Sequence, residues 1–159
     1  MSIEVVRDYL KQFGVENRML EFEVSSATVE LAAKAVGVAP QRIAKSLSFM
    51  VDGHAIIIVV AGDVKIDNSK YKGVFHTKAK MLTYDEVLEF TGHPVGGVCP
   101  FALKDDVKVY LDKSLQRFET VFPAVGTPSS AIELNMDELF KCSKAVEWID
   151  VTKLMEEQA

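Results

Sequence analysis

The sequence predicts one α+β domain, and three features of the chain support this prediction. Its 159 residues match the ~150 that a single domain usually takes. Segments of helical and of strand character are mixed without the regular alternation of a doubly wound fold. Asp52-Gly53 stands between two apolar segments and indicates a tight hairpin, so the sheet is at least partly antiparallel. We expect residues 1–159 to form this domain.

Four segments combine apolar residues at helical spacing with the residues that begin or end helices. The predicted helices are Val5–Phe13 before Gly14, Val29–Val36 after a cap at Ser25 or Ser26 and before Gly37, a helix through Val87 and Phe90 between Thr83 and Gly92, and Met136–Lys141. Pro40 starts a further short turn.

Seven apolar or alternating segments predict strands. They are Leu20–Val24, Ser46–Val51, His54–Ala61, Val107–Leu111, Thr120–Val125, Ile132–Leu134 and Val146–Val151. The continuous run from Ile56 to Val60 predicts a strand that is buried on both faces.

Composition and the N-terminus predict a cytoplasmic protein. Hydrophobic residues make up 48% of the chain and charged residues 26%, which is typical of a globular protein. Two distant cysteines are no disulfide framework. The N-terminus lacks a signal peptide, and the longest apolar run is too short to span a bilayer. The three histidines are scattered without a recognised metal-ligand spacing, so we expect no metal. We also expect no cofactor and no association with a membrane.

A basic segment between Lys65 and Lys80 stands out from the net charge of −5. Its lysines suit a partner such as tRNA that is touched only at one end, although a solvated surface explains them equally well. The candidates for tRNA contact are Lys70, Lys72, Lys78 and Lys80.

Two further features are candidates for catalysis. The segment 93–101 contains two glycines and two prolines, so its backbone N–H groups can cradle an anion or an oxyanion, or the segment is a plain connection. Lys45 lies at a strand start, where its ammonium either points into a cleft or stays at the surface.

Five blocks of sequence carry a recognisable pattern in a fixed order. They are Val36–Val38, Arg42–Phe49, Thr91–Phe101, Val109–Asp112 and Gly126–Leu134. Together they resemble the YbaK/EbsC family, which is related to the editing domain of bacterial prolyl-tRNA synthetases. Within the family, GHPVGGVCPF and SSAIEL are more similar to the EbsC-like branch.

The resemblance implies a curved, mixed, mostly antiparallel sheet with packed helices. It also implies hydrolysis of the ester that joins an amino acid to the 3′ end of tRNA. Lys45 matches the essential lysine, and Gly96 and Gly97 begin the GxxxP loop whose amides face the scissile carbonyl. The implied substrate-binding residues are Ser46, Val98, Cys99, Pro100, Gly126, Thr127, Ser129 and Ser130.

The chain departs from the family pattern at two positions. Ala102 stands where glycine is usual, which alters the tolerated φ or narrows the pocket. Cys99 stands where serine is common, and we expect a packing thiol rather than a nucleophile. Catalysis then uses water or the 2′-hydroxyl of the terminal adenosine, held by preorganised donors.

The substrate that the resemblance implies is a mischarged tRNA, tRNA(Pro) or a similar one, carrying a small amino acid such as alanine, serine or cysteine. The tRNA is chosen through its acceptor stem or through a synthetase partner. A second hypothesis is a module that binds aminoacyl-tRNA or a synthetase without hydrolysis, with Ala102 as the mark of a degenerate pocket.

Overall fold

The apolar segments on either side of Asp52-Gly53 form the centre of the structure, a computed structural model that describes residues 2–23, 28–94 and 98–155. The helices in these ranges are α1 Ser2–Leu10, α2 Val29–Val36, α3 Asn68–Phe75, α4 Tyr84–Thr91 and α5 Met136–Cys142. The strands are β1 Leu20–Glu21, β2 Ile43–Val51, β3 His54–Ala61, β4 Val64–Ile66, β5 Lys108–Asp112, β6 Thr120–Pro123, β7 Ser130–Ala131, β8 Leu134–Asn135, β9 Trp148–Ile149 and β10 Thr152–Leu154.

The main sheet is mixed, which confirms the predicted α+β class. Its strand order is β8-β6-β2-β3-β5-β9, and two smaller antiparallel sheets pair β1 with β7 and β4 with β10. The pairs β2–β3 and β6–β8 are antiparallel, whereas β2–β6, β3–β5 and β5–β9 are parallel. The β2–β3 ladder is the longest of these pairings and extends from Ala44↔Ala61 to Val51↔His54.

The predicted hairpin forms at Asp52-Gly53. Both residues have positive φ, 50° and 80°, which is the backbone that a two-residue turn between twisted strands requires. The returning strand β3 runs through the core, and Ile57 to Val60 are fully buried. The predicted burial of this strand on both faces is confirmed, because strands pair on both of its edges and apolar residues cover it above and below.

The local signals located most elements, but several ends differ from the prediction. The helix predicted as Val5–Phe13 is α1, Ser2–Leu10, and Lys11–Phe13 forms a 3₁₀-helix. Thr28, not Ser25 or Ser26, caps α2, since its hydroxyl accepts a hydrogen bond from the Leu31 amide; both serines lie outside the described residues. The predicted strand Ile132–Leu134 is replaced by two short strands: β7 ends just before it, and β8 begins at its last residue, Leu134. The predicted strand Val146–Val151 contains the shorter strand β9, Trp148–Ile149, which pairs with β5. Strand β10 follows the predicted segment and pairs with β4.

Strand β4 and helix α3 were not predicted. Helix α3 has a weak apolar stripe, with Tyr71 as its buried residue and Gly73 in its interior. A recognisable signal was present at Asp67, whose carboxylate caps the helix by accepting hydrogen bonds from the amides of Ser69 and Lys70. Among the described residues, no helix is long and apolar enough to cross a membrane.

Candidate functional site

Lys45 lies in the first half of β2, opposite Val60 of β3. Its ammonium donates a hydrogen bond to the carbonyl oxygen of Val64, with 2.6 Å between Nζ and O. Burial lowers the pKa of Lys45, while the negative charges of Asp63 and Glu30 act in the opposite direction. An ammonium has three N–H donors, so two remain for a ligand beyond the bond to Val64.

A cavity of about 450 Å³ opens beside Lys45. Its walls come from α2, the first half of β2, the segment from Met81 to Val87, Val98, and the segment from Phe122 to Ala131. Most of the lining is apolar, and the polar side chains are Lys45 and a small number of hydroxyls. A concave apolar site with few polar groups is the usual form of a small-molecule pocket.

Hydroxyl groups line the cavity from two sides. Ser46 and Ser48 belong to β2, and Ser48 is buried although it is polar. Thr127 and Ser130 belong to the opposite wall, where the Thr127 hydroxyl donates to the Ser130 oxygen at 2.9 Å and the Ser130 hydroxyl reaches the Thr127 carbonyl at 3.0 Å. These bonds hold the segment in a tight turn and present its side chains to the cavity.

The structure brings only part of the predicted set to the cavity wall. Lys45, Ser46, Val98, Thr127 and Ser130 line it. The substrate-binding candidates that do not line it are Cys99, Pro100, Gly126 and Ser129. Gly96 and Gly97 lie outside the described residues.

Cys99 is fully buried against His93 and Phe101. Burial raises the pKa of the Cys99 thiol to about 12. The His93 Nε2 lies 3.7 Å from the Cys99 sulfur and 2.8 Å from the Phe101 carbonyl oxygen. Because a carbonyl oxygen only accepts hydrogen bonds, the shorter contact requires that Nε2 carries a proton and donates it. Burial also lowers the pKa of His93. This imidazole nitrogen therefore has no free lone pair to take a proton from the thiol.

The deacylation that the family resemblance implies is expected to survive replacement of Cys99 by serine, because the buried thiol supports the loop and is not placed to react. A serine hydroxyl can donate to the Phe101 carbonyl as the thiol does. Mass spectrometry after treatment of the native protein with iodoacetamide at neutral pH should show little labelling of Cys99 or of the buried Cys142, whose pKa is raised to about 11 by burial. The unfolded chain should label at both. An inactive, well-folded Cys99→Ser protein with a trapped thioester would reverse this assignment.

Ala102 has the left-handed backbone that glycine favours, with φ at +53°. The chain thus keeps the backbone conformation of the usual glycine and carries the strain of an added methyl group. Ala102 is not among the residues that line the cavity, so its methyl group does not narrow it. This observation removes the reason for regarding the pocket as degenerate.

The lysines of the basic segment differ in their contacts. The Lys70 ammonium donates to Asp150 at 3.1 Å and to the Thr152 carbonyl at 2.8 Å, so it ties α3 to the C-terminal strand. Lys72 and Lys78 are exposed and border a second depression, which Asn68, Ser69 and Ala79 complete. Lys80 is exposed one residue before Met81, which lines the first cavity.

Sequence reasoning did not identify several cavity residues. Val29, Met81, Tyr84 and Val87 line the cavity, and Tyr84 is 77% exposed at its mouth. The sequence offered no signal for Tyr84, because the exposure of its ring and its place at the cavity follow only from the fold. Among the described residues, no three His, Cys, Asp or Glu side chains cluster in a way that could hold a metal ion.

The model of the family described as "Aminoacyl-tRNA editing domain" matches residues 23–142. The chain belongs to this family. The match covers α2 to α5 and thus includes the residues that line the cavity, from Thr28 to Ala131.

Two relatives by sequence differ in length: one matches this chain nearly from end to end, and the other is a much longer protein. The uncharacterized protein YwhH of Bacillus subtilis is 56% identical over 154 residues, which are 96% of this chain and 98% of that protein. A proline–tRNA ligase of Kosmotoga olearia is 31% identical over 130 residues, which are 76% of this chain but only 22% of the ligase. The editing domain therefore corresponds to about a fifth of that ligase.

One solved structure matches the editing domain over almost its whole length. It is described as a candidate trans-editing enzyme for prolyl tRNA synthetase, with a TM-score of 0.87 and 29% identity over 96% of this chain and 97% of the other. The resemblance to the YbaK-like editing domains is thereby confirmed, and so is the curled mixed sheet. The EbsC-like branch stays a prediction.

Proposed function

We propose that the chain is a free-standing aminoacyl-tRNA deacylase, which hydrolyses the ester of a mischarged tRNA. The observation that carries this proposal is the Lys45 ammonium at the wall of a largely apolar cavity, with a single protein hydrogen bond among the described residues. Membership of the editing family supplies the substrate class. The likeness to a candidate trans-editing enzyme supports action on tRNA charged by another protein.

Lys45 acts in this proposal as a donor to the developing negative charge. Water adds to the ester carbonyl and forms a new C–O bond, while the carbonyl oxygen becomes an oxyanion. The free N–H donors of Lys45 stabilise that oxyanion. The bond to the ribose oxygen then breaks, a proton passes from the attacking water to that oxygen, and the products are a free amino acid and intact tRNA. The 2′-hydroxyl of the terminal adenosine orients the water.

The loop from Gly96 to Pro100 completes the site in this proposal. The amides of Gly96 and Gly97 are assigned to the scissile carbonyl by the family motif. Val98 lines the cavity and connects the loop to the pocket wall. The aminoacyl group is contacted by hydroxyls of the cavity wall, those of Ser46, Thr127 and Ser130. The loops that carry the site are supported by residues that do not line the cavity, which are Cys99, Pro100, Gly126 and Ser129.

A panel of aminoacyl-tRNAs tests the proposal and identifies the substrate. The purified protein is incubated with tRNA(Pro) and other tRNAs charged with alanine, serine, cysteine and the cognate amino acids, and release of the amino acid is measured. We expect rapid deacylation of one small amino acid and slow deacylation of the cognate prolyl-tRNA. Binding to charged tRNA without release of any amino acid, at enzyme excess, would instead establish a non-catalytic binding module.

The exposed lysines of the basic segment form the proposed contact with the acceptor end of tRNA. Lys72→Glu with Lys78→Glu should raise KM for charged tRNA, because reversed charges repel the phosphates. The slope of log K against log salt should flatten by about 0.7 to 0.9 per lost contact. The melting temperature should stay nearly constant, since neither side chain is buried. Lys70 is left out of this test because its ion pair with Asp150 links it to stability as well.

The control for this test is Lys108→Glu with Lys141→Glu, which changes the net charge equally at exposed positions of β5 and α5. KM for charged tRNA should change little in this control. Both double variants should keep their activity on a minimal aminoacyl-adenosine substrate, which has no acceptor stem. Equal losses on tRNA and on the minimal substrate would contradict the assignment of Lys72 and Lys78 to tRNA contact.

The remaining parts of the proposal concern the setting of the enzyme. Residues 1–159 function as one domain, in the cytoplasm, where charged tRNA is consumed. The acceptor stem or a synthetase partner selects the tRNA. Co-purification of a synthetase, and the effect of that synthetase on KM, distinguish the two routes of selection.

A further inference from the structure

The turn from Ala61 to Val64 passes directly beside Lys45. It connects β3 to β4, and its last carbonyl, that of Val64, accepts the hydrogen bond from Nζ of Lys45 at 2.6 Å. Among the described residues, this carbonyl is the one hydrogen-bond partner of the ammonium. The position of this turn therefore determines where the ammonium lies in the cavity wall.

Asp63 occupies the middle of this turn and is held by Arg117. The guanidinium donates two hydrogen bonds to the carboxylate, Nη1 to Oδ2 at 3.0 Å and Nη2 to Oδ1 at 2.6 Å. A two-point contact of this kind fixes orientation as well as distance. The hydrogen bond from Arg117 is also the main cause that lowers the pKa of Asp63, so its carboxylate stays charged.

The short helix that contains Arg117 also holds the first residue of the turn, Ala61. Residues Lys113–Arg117 form a 3₁₀-helix, and its Ser114 hydroxyl accepts a hydrogen bond from the Ala61 amide at 3.1 Å. The Ser114 carbonyl in turn accepts a hydrogen bond from Nε of Arg117 at 2.8 Å. The buried carboxylate of Asp112 fixes the start of this helix through the Ser114 amide. The turn is thus attached to one short helix at its first residue, Ala61, and in its middle, at Asp63.

We propose that Asp63, clamped by Arg117, is a positioning residue for Lys45: it holds the Val64 carbonyl in place and provides a negative charge near the ammonium. This inference rests on the proposed role of Lys45 in deacylation. It assigns a function to an ion pair that touches no substrate and that lies outside the motifs of the sequence analysis.

The charges around Lys45 predict the direction in which its pKa changes when Asp63 loses its charge. Asp63 in the turn and Glu30 on α2 are the carboxylates that raise the pKa of Lys45, against the lowering by burial. Loss of the Asp63 charge removes one of the two opposing contributions, so the pKa of Lys45 falls further. Since the donor must be protonated, activity then disappears at a lower pH on the basic side of the profile.

The test is an NMR titration of Lys45 in protein labelled with ¹³C at the lysine Cε, together with deacylation kinetics. In Asp63→Asn we expect a lower pKa of Lys45 and a kcat about 10-fold lower with little change in KM, below the ~10²-fold that a 1 Å misplacement can cost. Lys45→Met assigns the resonance of Lys45 in the spectrum.

The matched control is Glu138→Gln. Glu138 pairs with Arg18 at 2.7 Å, and the side-chain exposures of that pair, 48% for the arginine and 25% for the glutamate, resemble the 39% and 26% of Arg117 and Asp63. Glu138 is not among the charges that act on Lys45. This control should leave both the pKa of Lys45 and kcat at their wild-type values.

A second variant separates the orienting effect of Arg117 from the negative charge of Asp63. Arg117→Met keeps the Asp63 carboxylate but releases it, so kcat should fall while the pKa of Lys45 stays above its value in Asp63→Asn. Wild-type kcat in Arg117→Met, or an unchanged pKa and kcat in Asp63→Asn, would overturn the inference even if Lys45→Ala is inactive. Full activity of Lys45→Ala would instead refute the proposed function, and the titration would still show whether Asp63 acts on Lys45.

Discussion

Lys45→Ala is expected to lower kcat for deacylation by about 10²-fold or more, the scale of losing one donor to a developing oxyanion. The variant should stay folded, because Lys45 is half-buried and its ammonium makes one hydrogen bond to the protein. The measurement is single-turnover release of the amino acid from charged tRNA, with circular dichroism and urea denaturation to verify the fold. The loss should appear equally on aminoacyl-adenosine, because the role proposed for Lys45 is at the ester and not on the acceptor stem.

Two further substitutions separate charge from packing at this position. Lys45→Met keeps the apolar stem and removes the ammonium, so it should be as inactive as the alanine variant. Lys45→Arg keeps a positive charge but has a planar, wider head group, and we expect only partial activity. A methionine variant with near wild-type turnover would remove Lys45 from the mechanism.

Gly62→Ala is expected to lower the free energy of unfolding by about 3 kcal/mol, at the upper end of the usual cost of overpacking. A Cβ built on Gly62 lies 2.1 Å from the Pro40 carbonyl oxygen and 2.7 Å from Cγ1 of Val29, whereas real Cβ contacts stay above 3.0 Å. The Pro40 oxygen cannot retreat without loss, because it accepts a hydrogen bond from the Ile43 amide at the start of β2. The measurement is urea denaturation of both proteins.

Gly73→Ala is the control for this substitution. Gly73 lies inside α3, and a Cβ there meets no atom within 4 Å. Alanine in a helix interior should raise the free energy of unfolding by roughly 0.5–1 kcal/mol. Because Gly62 belongs to the turn that carries Val64, Gly62→Ala should also reduce activity, whereas Gly73→Ala should not. Equal stabilities of the two variants would contradict the close packing of the turn against Pro40.

Much of the fold was predictable because its signals are local. Asp52-Gly53 makes a turn through its own backbone preferences, and Thr83 caps α4 through the amide of Glu86 three residues later. Helix α3 was missed because packing, not periodicity, stabilises it: the ring of Tyr71 lies against Phe49 and Phe75. A short polar helix with one buried residue leaves little pattern in the sequence.

The candidate site was predictable only in part. Lys45 and Val98 line the cavity and were marked by the family resemblance, whereas the role of the rest of the Gly96–Pro100 loop stays a prediction. Met81 and Tyr84 were not found, since their place at the cavity depends on how the segment before α4 packs across β2.

The sequence by itself determined the α+β class, the central hairpin, the bounds of α2 and α4, and the family to which the chain belongs. Each of these follows from residues a few positions apart or from motifs read in order. Only the tertiary structure decided the chemical state and the partners of the side chains. Cys99 has a raised pKa because the fold buries it, Lys45 meets a carbonyl 19 residues away, and Asp63 meets an arginine 54 residues away. Desolvation and hydrogen bonding depend on atoms that folding brings together from distant segments, and no local pattern of residues encodes them.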